Sequence, residues 1–173
     1  MKSEWLKEEE MQHVLRLLMP ENRLAIETSI ATGLRISDVL ALKTAQINAA
    51  SQRRITVKEQ KTGKTRRIYF PRDVYERLQA TAGRYFVFEH RTNPQKHRAR
   101  QTVWKDIRRA AAALRLQERV TPHSARKIYA VALYKRYGDI EKVAQALKHT
   151  SQTVTLVYAL ADEITRRKHA RPH

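Results

Sequence analysis

The sequence predicts a mainly α-helical fold with a small three-stranded antiparallel sheet, an α+β arrangement. In most segments apolar residues recur at intervals of three and four, as on the buried face of a helix. Residues 54–70 instead alternate apolar and polar side chains around the turn KTGK at 61–64, which is the pattern of a β-hairpin. Residues 85–88 (YFVF) are apolar and aromatic, so they predict a third strand.

Residues that favour helix starts and stops bound the predicted helices. Ser3 caps the first helix, Pro20 begins the second, and Gly33 ends the second in a left-handed conformation. Ser37 or Asp38 then caps a short helix. The remaining helices are predicted at 71–82, 101–116, from 121–122 onward, across 140–147 and at 161–169.

The charge of the chain restricts its partners. Its 173 residues suffice for one domain, and 35 Lys and Arg against 17 Asp and Glu give a net charge of +18. An excess of this size indicates a polyanionic partner, most simply nucleic acid, although a basic solvated surface or ribosomal association would also explain it. The chain has no cysteine, no apolar signal segment and no long apolar run, so we expect no disulfides, no membrane partner and a cytoplasmic, nucleoid-associated location.

Five short motifs occur in a fixed order along the chain. They are TGLRISDVLAL at 32–42, KTGK at 61–64, HSAR at 123–126, LKH at 147–149 and a tyrosine at 158. His123 and Arg126 are three residues apart, so a helix places them on one face. The polar residues of the last three motifs lie outside the apolar stripes of their helices, which allows them to face something other than the core.

In order and spacing, these motifs resemble those of the tyrosine recombinases, also called phage-type integrases. The resemblance implies a mostly helical catalytic domain that performs site-specific DNA recombination or integration. It also implies six catalytic residues, which are Arg35, Lys61, His123, Arg126, His149 and Tyr158. In the family's mechanism the tyrosine attacks a DNA phosphodiester and forms a 3′-phosphotyrosine, without metal or ATP.

The other catalytic residues receive their roles from the same resemblance. Arg35, Arg126 and His149 would hold the non-bridging oxygens of the phosphate. Lys61 would protonate the leaving 5′ oxygen, and His123 would accept or position the proton of the tyrosine.

Arg35 also stands out without the resemblance. It lies between apolar Leu34 and Ile36 in a segment that we expect to be half buried, so it needs an anionic partner. Asp38, three residues on, is the supporting residue that we expect to hold it, and a phosphate would complete the set.

The expected partner is double-stranded DNA, bound by a homo-oligomer that forms a tetramer on paired recombination sites. Residues 90–100 are polar and basic, and they predict either an exposed loop on the DNA backbone or a mobile loop without contact. Candidate DNA contacts are Lys64, Arg66, Arg98, Arg100, Arg108, Arg109 and Lys127.

We expect no metal and no other cofactor. Metal-dependent nucleases require convergent carboxylates, and the chain contains no HExxH motif. Its aspartates are scattered over different elements, at 38, 73, 106, 139 and 162.

Two other functions fit parts of the sequence. Residues 143–159 resemble a helix-turn-helix, which would make the chain a DNA-binding regulator but would leave Arg35, the Lys61 turn, His123 and Arg126 unexplained. A recombinase fold without activity, acting as an accessory protein, is the other alternative, and the intact polar set argues against it. We expect residues 1–173 to form a single catalytic domain, without the N-terminal core-binding or arm-binding domain that integrases commonly carry.

Overall fold

The computed structural model describes residues 8–116 and 120–147, and most of these residues are helical. Within these ranges the helices are α1 (Glu8–Leu17), α2 (Pro20–Thr32), α3 (Ile36–Leu40), α4 (Thr44–Asn48), α5 (Arg72–Thr81), α6 (Arg100–Ala113), α7 (Pro122–Tyr137) and α8 (Ile140–Ala146). The strands are β1 (Arg54–Lys58), β2 (Thr65–Tyr69), β3 (Glu89–His90) and β4 (Asn93–His97). The mainly helical fold with small antiparallel sheets is confirmed.

The strands form two antiparallel pairs, β1 with β2 and β3 with β4, where the sequence predicted one three-stranded sheet. In the first pair Ile55 lies opposite Ile68, and both side chains are buried. The prediction of a third strand at 85–88 is wrong, because Phe86 forms only an isolated bridge with Lys43 before the chain turns. Residues 86–88 are all buried, so their apolar character serves the core and does not mark a strand. Strands β3 and β4 follow at 89–97, in the segment predicted as a loop.

Helix α2 is central to the fold. It packs against α1, α3, α5, α6 and α7, and buried residues occur all round it, as expected for a helix enclosed by neighbours. The main core extends from Met11 on α1 to Ala125 on α7. A smaller cluster of Ala130, Val143 and Leu147 joins α7 to α8.

Gly33 ends α2 in the predicted left-handed conformation, with φ of +69°. A Cβ atom at this position would overlap the ring of Tyr129, so the residue is small for two reasons. The next helix begins at Ile36 with Arg35 at its N-cap, so Ser37 and Asp38 lie inside α3 and neither caps it.

Two predicted features lie outside the described residues, namely the helix cap at Ser3 and the basic helix at 161–169. In the part of the chain that is described, no helix combines the length and the apolar character needed to cross a membrane.

Candidate active site

Four of the six predicted catalytic residues line one open cleft. Arg35 comes from the start of α3, Lys61 from the turn between β1 and β2, and His123 and Arg126 from the beginning of α7. The two remaining residues, His149 and Tyr158, lie outside the described residues. The fold therefore brings together four side chains that are up to 91 positions apart in the sequence, counting from 35 to 126.

The charged and titratable side chains that line this cleft, hereafter the cationic cleft, are all basic. Among the described lining residues there is no Asp or Glu. The basic residues are Arg35, Lys61, Lys96, Arg100 and Arg126, together with His90, His97 and His123. A concave surface with charges of one sign concentrates counter-ions, so the cationic cleft suits a polyanion.

Arg35 is held by a carboxylate that was not predicted for this role. Its Nη1 donates a hydrogen bond to Oε2 of Glu59 at 2.8 Å, and Glu59 has no solvent exposure. Thr62 Oγ1 donates to the same oxygen at 2.9 Å, and Arg66 Nη1 donates to Oε1 at 3.3 Å. Burial acts to raise the pKa of Glu59, but these hydrogen bonds and the charge of Arg35 outweigh it and lower the pKa below 4.5. Glu59 is therefore ionised at neutral pH.

The sequence contained a signal for Glu59. It occupies an inward position in the alternation of residues 55–60, where a charged side chain requires a buried partner. The partner, Arg35, lies 24 positions earlier, so the strand pattern alone could not identify it.

Asp38 does not hold Arg35 as predicted. It is buried, and its Oδ1 accepts a hydrogen bond from the backbone N–H of Gln60 at 2.9 Å. Within the described residues its Oδ2 is buried and has no hydrogen-bond partner. Burial raises the pKa of Asp38 above its usual 3.8. Asp38 thus fastens α3 to the hairpin residue that precedes Lys61.

Arg126 is nearly buried and connects α7 to the end of α8. Its Nη2 donates to the backbone oxygen of Leu147 at 2.6 Å. Burial, followed by the charge of Arg35, lowers the pKa of Arg126 to about 10, so the side chain remains a cation at neutral pH. Leu147 stands two residues before His149 in the sequence, and Arg126 therefore contacts the segment that leads to His149.

His123 lies on the exposed side of α7 and lines the cationic cleft. Loss of water around the imidazole, followed by the charges of Arg126 and Arg100, lowers the pKa of His123 below its usual 6.5. At neutral pH the ring is therefore neutral and has a nitrogen available to accept a proton. Near it, the backbone N–H of Thr121 donates to Ser124 Oγ at 3.2 Å, which secures the start of α7.

Lys61 and Lys64 both lie exposed on the β1–β2 turn, but they differ in position. Lys61 lines the cationic cleft, whereas Lys64 is not among its lining residues. The turn between them contains Gly63, whose φ is +66° and whose N–H donates to the backbone oxygen of Glu59 at 2.8 Å.

The predicted DNA contacts fall into two groups. Arg100 lines the cationic cleft, Arg108 lies exposed with its guanidinium 5.7 Å from the ring of Trp104, and Lys127 lies half-buried on α7. Trp104, an exposed aromatic residue on α6, lines the same cleft.

The second group of predicted contacts holds the fold together. Arg66 is buried against Glu59, a placement that does not fit the predicted DNA contact. Arg98 Nε donates to Asn22 Oδ1 at 2.6 Å, and Arg109 Nη2 donates to Leu17 O at 2.6 Å. Each of these guanidinium groups faces a protein oxygen, because the nearby helix ends and buried polar groups require donors.

Within the described ranges, no group of three or more His, Cys, Asp or Glu side chains is placed to hold a metal ion. Most of the helix-turn-helix predicted for 143–159 lies outside these ranges, and its described part, 143–147, comprises the end of α8 and the residue that caps it.

The profile of the Phage integrase family matches residues 4–163. The chain belongs to the phage integrase family. Its predicted class, the tyrosine-type site-specific recombinases and integrases, is confirmed by this match and by relatives named as tyrosine recombinases.

Two curated relatives and one solved structure illustrate the similarity. The chain is 28% identical to "Probable integrase/recombinase YoeC" of Bacillus subtilis, over 92% of this chain and 90% of the relative. It is also 28% identical to tyrosine recombinase XerA of Pyrococcus furiosus, over 88% of this chain and 56% of XerA. A crystal structure of a lambda integrase dimer bound to a COC′ core site has a TM-score of 0.74 and 19% identity, over 94% of this chain and 60% of that one.

The chain thus spans about half the length of several relatives, including 52% of tyrosine recombinase XerD of Ralstonia nicotianae. The resemblance to the solved structures, at below 25% identity, establishes the fold.

Proposed function

We propose that this chain cleaves and rejoins double-stranded DNA at specific sites through a covalent bond to Tyr158, without metal or ATP. The observation that carries the proposal is the cationic cleft, where Arg35, Lys61, His123 and Arg126 meet without a described acidic lining residue. Such a cleft matches a phosphodiester in charge, and the family match over residues 4–163 supports the proposal.

In the proposed reaction the two arginines bind the non-bridging oxygens of the scissile phosphate. Arg35 uses Nη1 for Glu59, and its other N–H groups are the proposed donors to phosphate. Negative charge grows on these oxygens in the transition state, where each well-placed donor typically contributes about 2.7–4 kcal/mol. Arg126 contacts the segment that leads to His149, which supports His149 as a further donor.

Proton transfer accompanies the exchange of bonds at phosphorus. The phenolic oxygen of Tyr158 forms a bond to phosphorus while the bond to the 5′ oxygen breaks. Neutral His123 accepts the phenolic proton, and Lys61 delivers a proton to the leaving oxygen. The phosphotyrosine conserves the phosphodiester energy, and a 5′ hydroxyl reverses the steps to rejoin a strand.

The proposal includes the assembly in which the chain acts. Four copies on paired DNA sites would each contribute one cationic cleft, and residues 1–173 would form the catalytic domain. A DNA substrate supports action at the nucleoid, and the similarity to a Bacillus subtilis protein and to lambda integrase supports a bacterial or phage setting.

A nicked DNA substrate tests the proposal, because loss of the short product strand prevents rejoining. The chain should form an adduct that withstands denaturant and excess chelator, and Tyr158→Phe should bind DNA without forming it. An adduct with the Tyr158→Phe variant would refute the nucleophile. Cleavage that stops in chelator and returns with Mg²⁺ would indicate a nuclease. DNA binding without any adduct would favour a regulator or an inactive accessory protein.

A further inference from the structure

Glu59 joins three elements beside the cationic cleft through one buried side chain. Its carboxylate accepts hydrogen bonds from Arg35 at the start of α3, from Thr62 in the hairpin turn and from Arg66 on β2. The Glu59 side chain has 0% exposure, whereas those of Arg35 and Arg66 are 11% and 7% exposed. The stability of a group of ions with so little solvent exposure depends on complete pairing, because removing one partner leaves a buried charge uncompensated.

Arg66 prevents Glu59 from neutralising the cleft. A lone Arg35–Glu59 pair would have no net charge, which would weaken the attraction of Arg35 for a phosphate. Arg66 adds a second positive charge, so the group of three keeps a net charge of +1. Arg66 also donates to the backbone oxygens of Thr32 at 3.1 Å and Gly33 at 3.3 Å, just before Arg35.

The same carboxylate fixes the turn that carries Lys61. Thr62 Oγ1 donates to Glu59 Oε2 at 2.9 Å and accepts from the Lys64 N–H at 3.3 Å. The backbone N–H of Glu59 donates to Lys64 O at 2.9 Å, which closes the turn from the other side. Lys61 itself is exposed, so its position depends on bonds made by its neighbours.

We infer that Glu59 is a positioning residue that sets Arg35 and Lys61 in one fixed relation, holding Arg35 directly and the Lys61 turn through the hydroxyl of Thr62. The inference rests on the proposed function, in which both residues act on the same phosphate. Groups that act on one reacting centre must be held to about 0.5 Å, and these two come from separate elements. Glu59 bonds directly to Arg35 and to Thr62, and the contact between Asp38 and the Gln60 N–H is a further tie between α3 and the hairpin.

Thr62 offers a test that avoids the core, because it lies in the hairpin turn. Thr62→Val removes the hydroxyl and keeps the shape, whereas Thr62→Ser keeps the hydroxyl. We expect Thr62→Val to slow adduct formation on ordinary nicked DNA by about 10–100-fold, the cost of a small misplacement, with DNA affinity unchanged. Thr62→Ser should retain most of the wild-type rate.

A substrate with sulfur at the 5′-bridging position identifies which residue has moved. A thiolate leaves with little help from a proton, so this substrate should restore most of the rate of Thr62→Val, whose defect is a displaced Lys61. Glu59→Gln should be slow on both substrates, because it also releases Arg35. Glu76→Gln is the matched control, since Glu76 pairs with Arg72 on the exposed surface of α5.

A measurement without catalysis separates this inference from the proposed function. Arg35→Ala and Glu59→Gln should speed amide hydrogen exchange of Gly63 by about tenfold, as expected when a hydrogen bond to a charged group is lost. Arg23→Ala, which breaks a pair on α2, should not affect it. If the wild type forms no adduct, the proposed function fails. The exchange rates of the Gly63 amide still show whether Glu59 couples Arg35 to the Lys61 turn. Wild-type rates for Thr62→Val on ordinary DNA, or unchanged exchange in both variants, would overturn the inference.

Discussion

Two clefts on this molecule are rich in arginine, and they differ in what the arginines contact. The cationic cleft has no acidic residue among its described lining residues. The second cleft, hereafter the paired cleft, lies among the ends of α2, α5 and β3. Its charged and titratable lining residues are Glu21, Arg23, Arg77, Glu89, His90, Arg91 and Arg98.

Carboxylates neutralise most of the paired cleft. Arg23 and Arg77 both pair with Glu27, and Arg98 lies 3.9 Å from Glu21. In the cationic cleft, by contrast, Lys61 and Arg100 have no carboxylate within 4.0 Å among the described residues. The difference shows that the net charge of +18 does not identify the phosphate site. Arginines that carboxylates neutralise stabilise the fold, whereas Lys61, Arg100 and the group of Arg35, Glu59 and Arg66, with its net charge of +1, leave positive charge to attract an anion.

The largest expected contrast comes from deleting one arginine in each cleft. Arg35→Ala should slow adduct formation by about 10²–10³-fold, which corresponds to roughly 2.7–4 kcal/mol of lost transition-state stabilisation. Arg77→Ala loses the pairs of this exposed side chain with Glu27 and Asp73, so adduct formation should stay at the wild-type rate and stability should fall by about 1 kcal/mol. Equal losses of activity in both variants would remove the distinction between the clefts. Thermal unfolding of both variants serves as the folding control.

A second contrast examines the backbone that carries Arg35. Gly33→Ala places a methyl group against the Tyr129 ring in a left-handed conformation, whereas Gly138→Ala meets nothing within 4 Å at a similar φ of +65°. In both variants the free energy of unfolding should fall by about 1–2 kcal/mol, because alanine is strained in the left-handed conformation. The free energy of unfolding of Gly33→Ala should fall by about 1–3 kcal/mol more, because the new methyl group overlaps the Tyr129 ring. Urea unfolding measures the difference. Equal free energies of unfolding for the two variants would contradict the close packing of the Tyr129 ring against position 33.

The smallest contrast concerns DNA affinity. Arg100→Ala removes an unneutralised cation, so the slope of log affinity against log salt should become shallower by about 0.9. Arg23 is already neutralised by Glu27, so Arg23→Ala should leave that slope unchanged. Fluorescence anisotropy with a labelled duplex at several salt concentrations measures both. A shallower slope for Arg23→Ala would mean that DNA also occupies the paired cleft.

The sequence predicted the elements that bury a periodic face. The β1–β2 hairpin was visible because Ile55 and Val57 alternate with polar residues, and α2 because Pro20 and Gly33 bound it. Strands β3 and β4 were missed because none of their residues is fully buried, so they leave no alternation of apolar side chains.

The motifs indicated which residues gather in the site, but the supporting contacts could not be derived from them. Asp38 was the nearest acid to Arg35 in sequence, yet Glu59 holds Arg35 because β1 passes beside the start of α3. Likewise, Arg66 is one of many basic residues in sequence, and only its buried contacts with Glu59 and the end of α2 separate it from a DNA contact. The catalytic roles of all six residues stay predictions, and two of these residues, His149 and Tyr158, lie outside the described residues.

The proposed action of the cationic cleft on the charge of one phosphate is tested most directly with nicked DNA that has either a phosphate or a neutral methylphosphonate at the scissile position. On the phosphate, the wild type should form the adduct about 10²–10³ times faster than Arg35→Ala. On the methylphosphonate this ratio should fall to about 10 or less, because one charged oxygen is gone and Arg35 has less charge to stabilise. The same ratio on both substrates would contradict the claim.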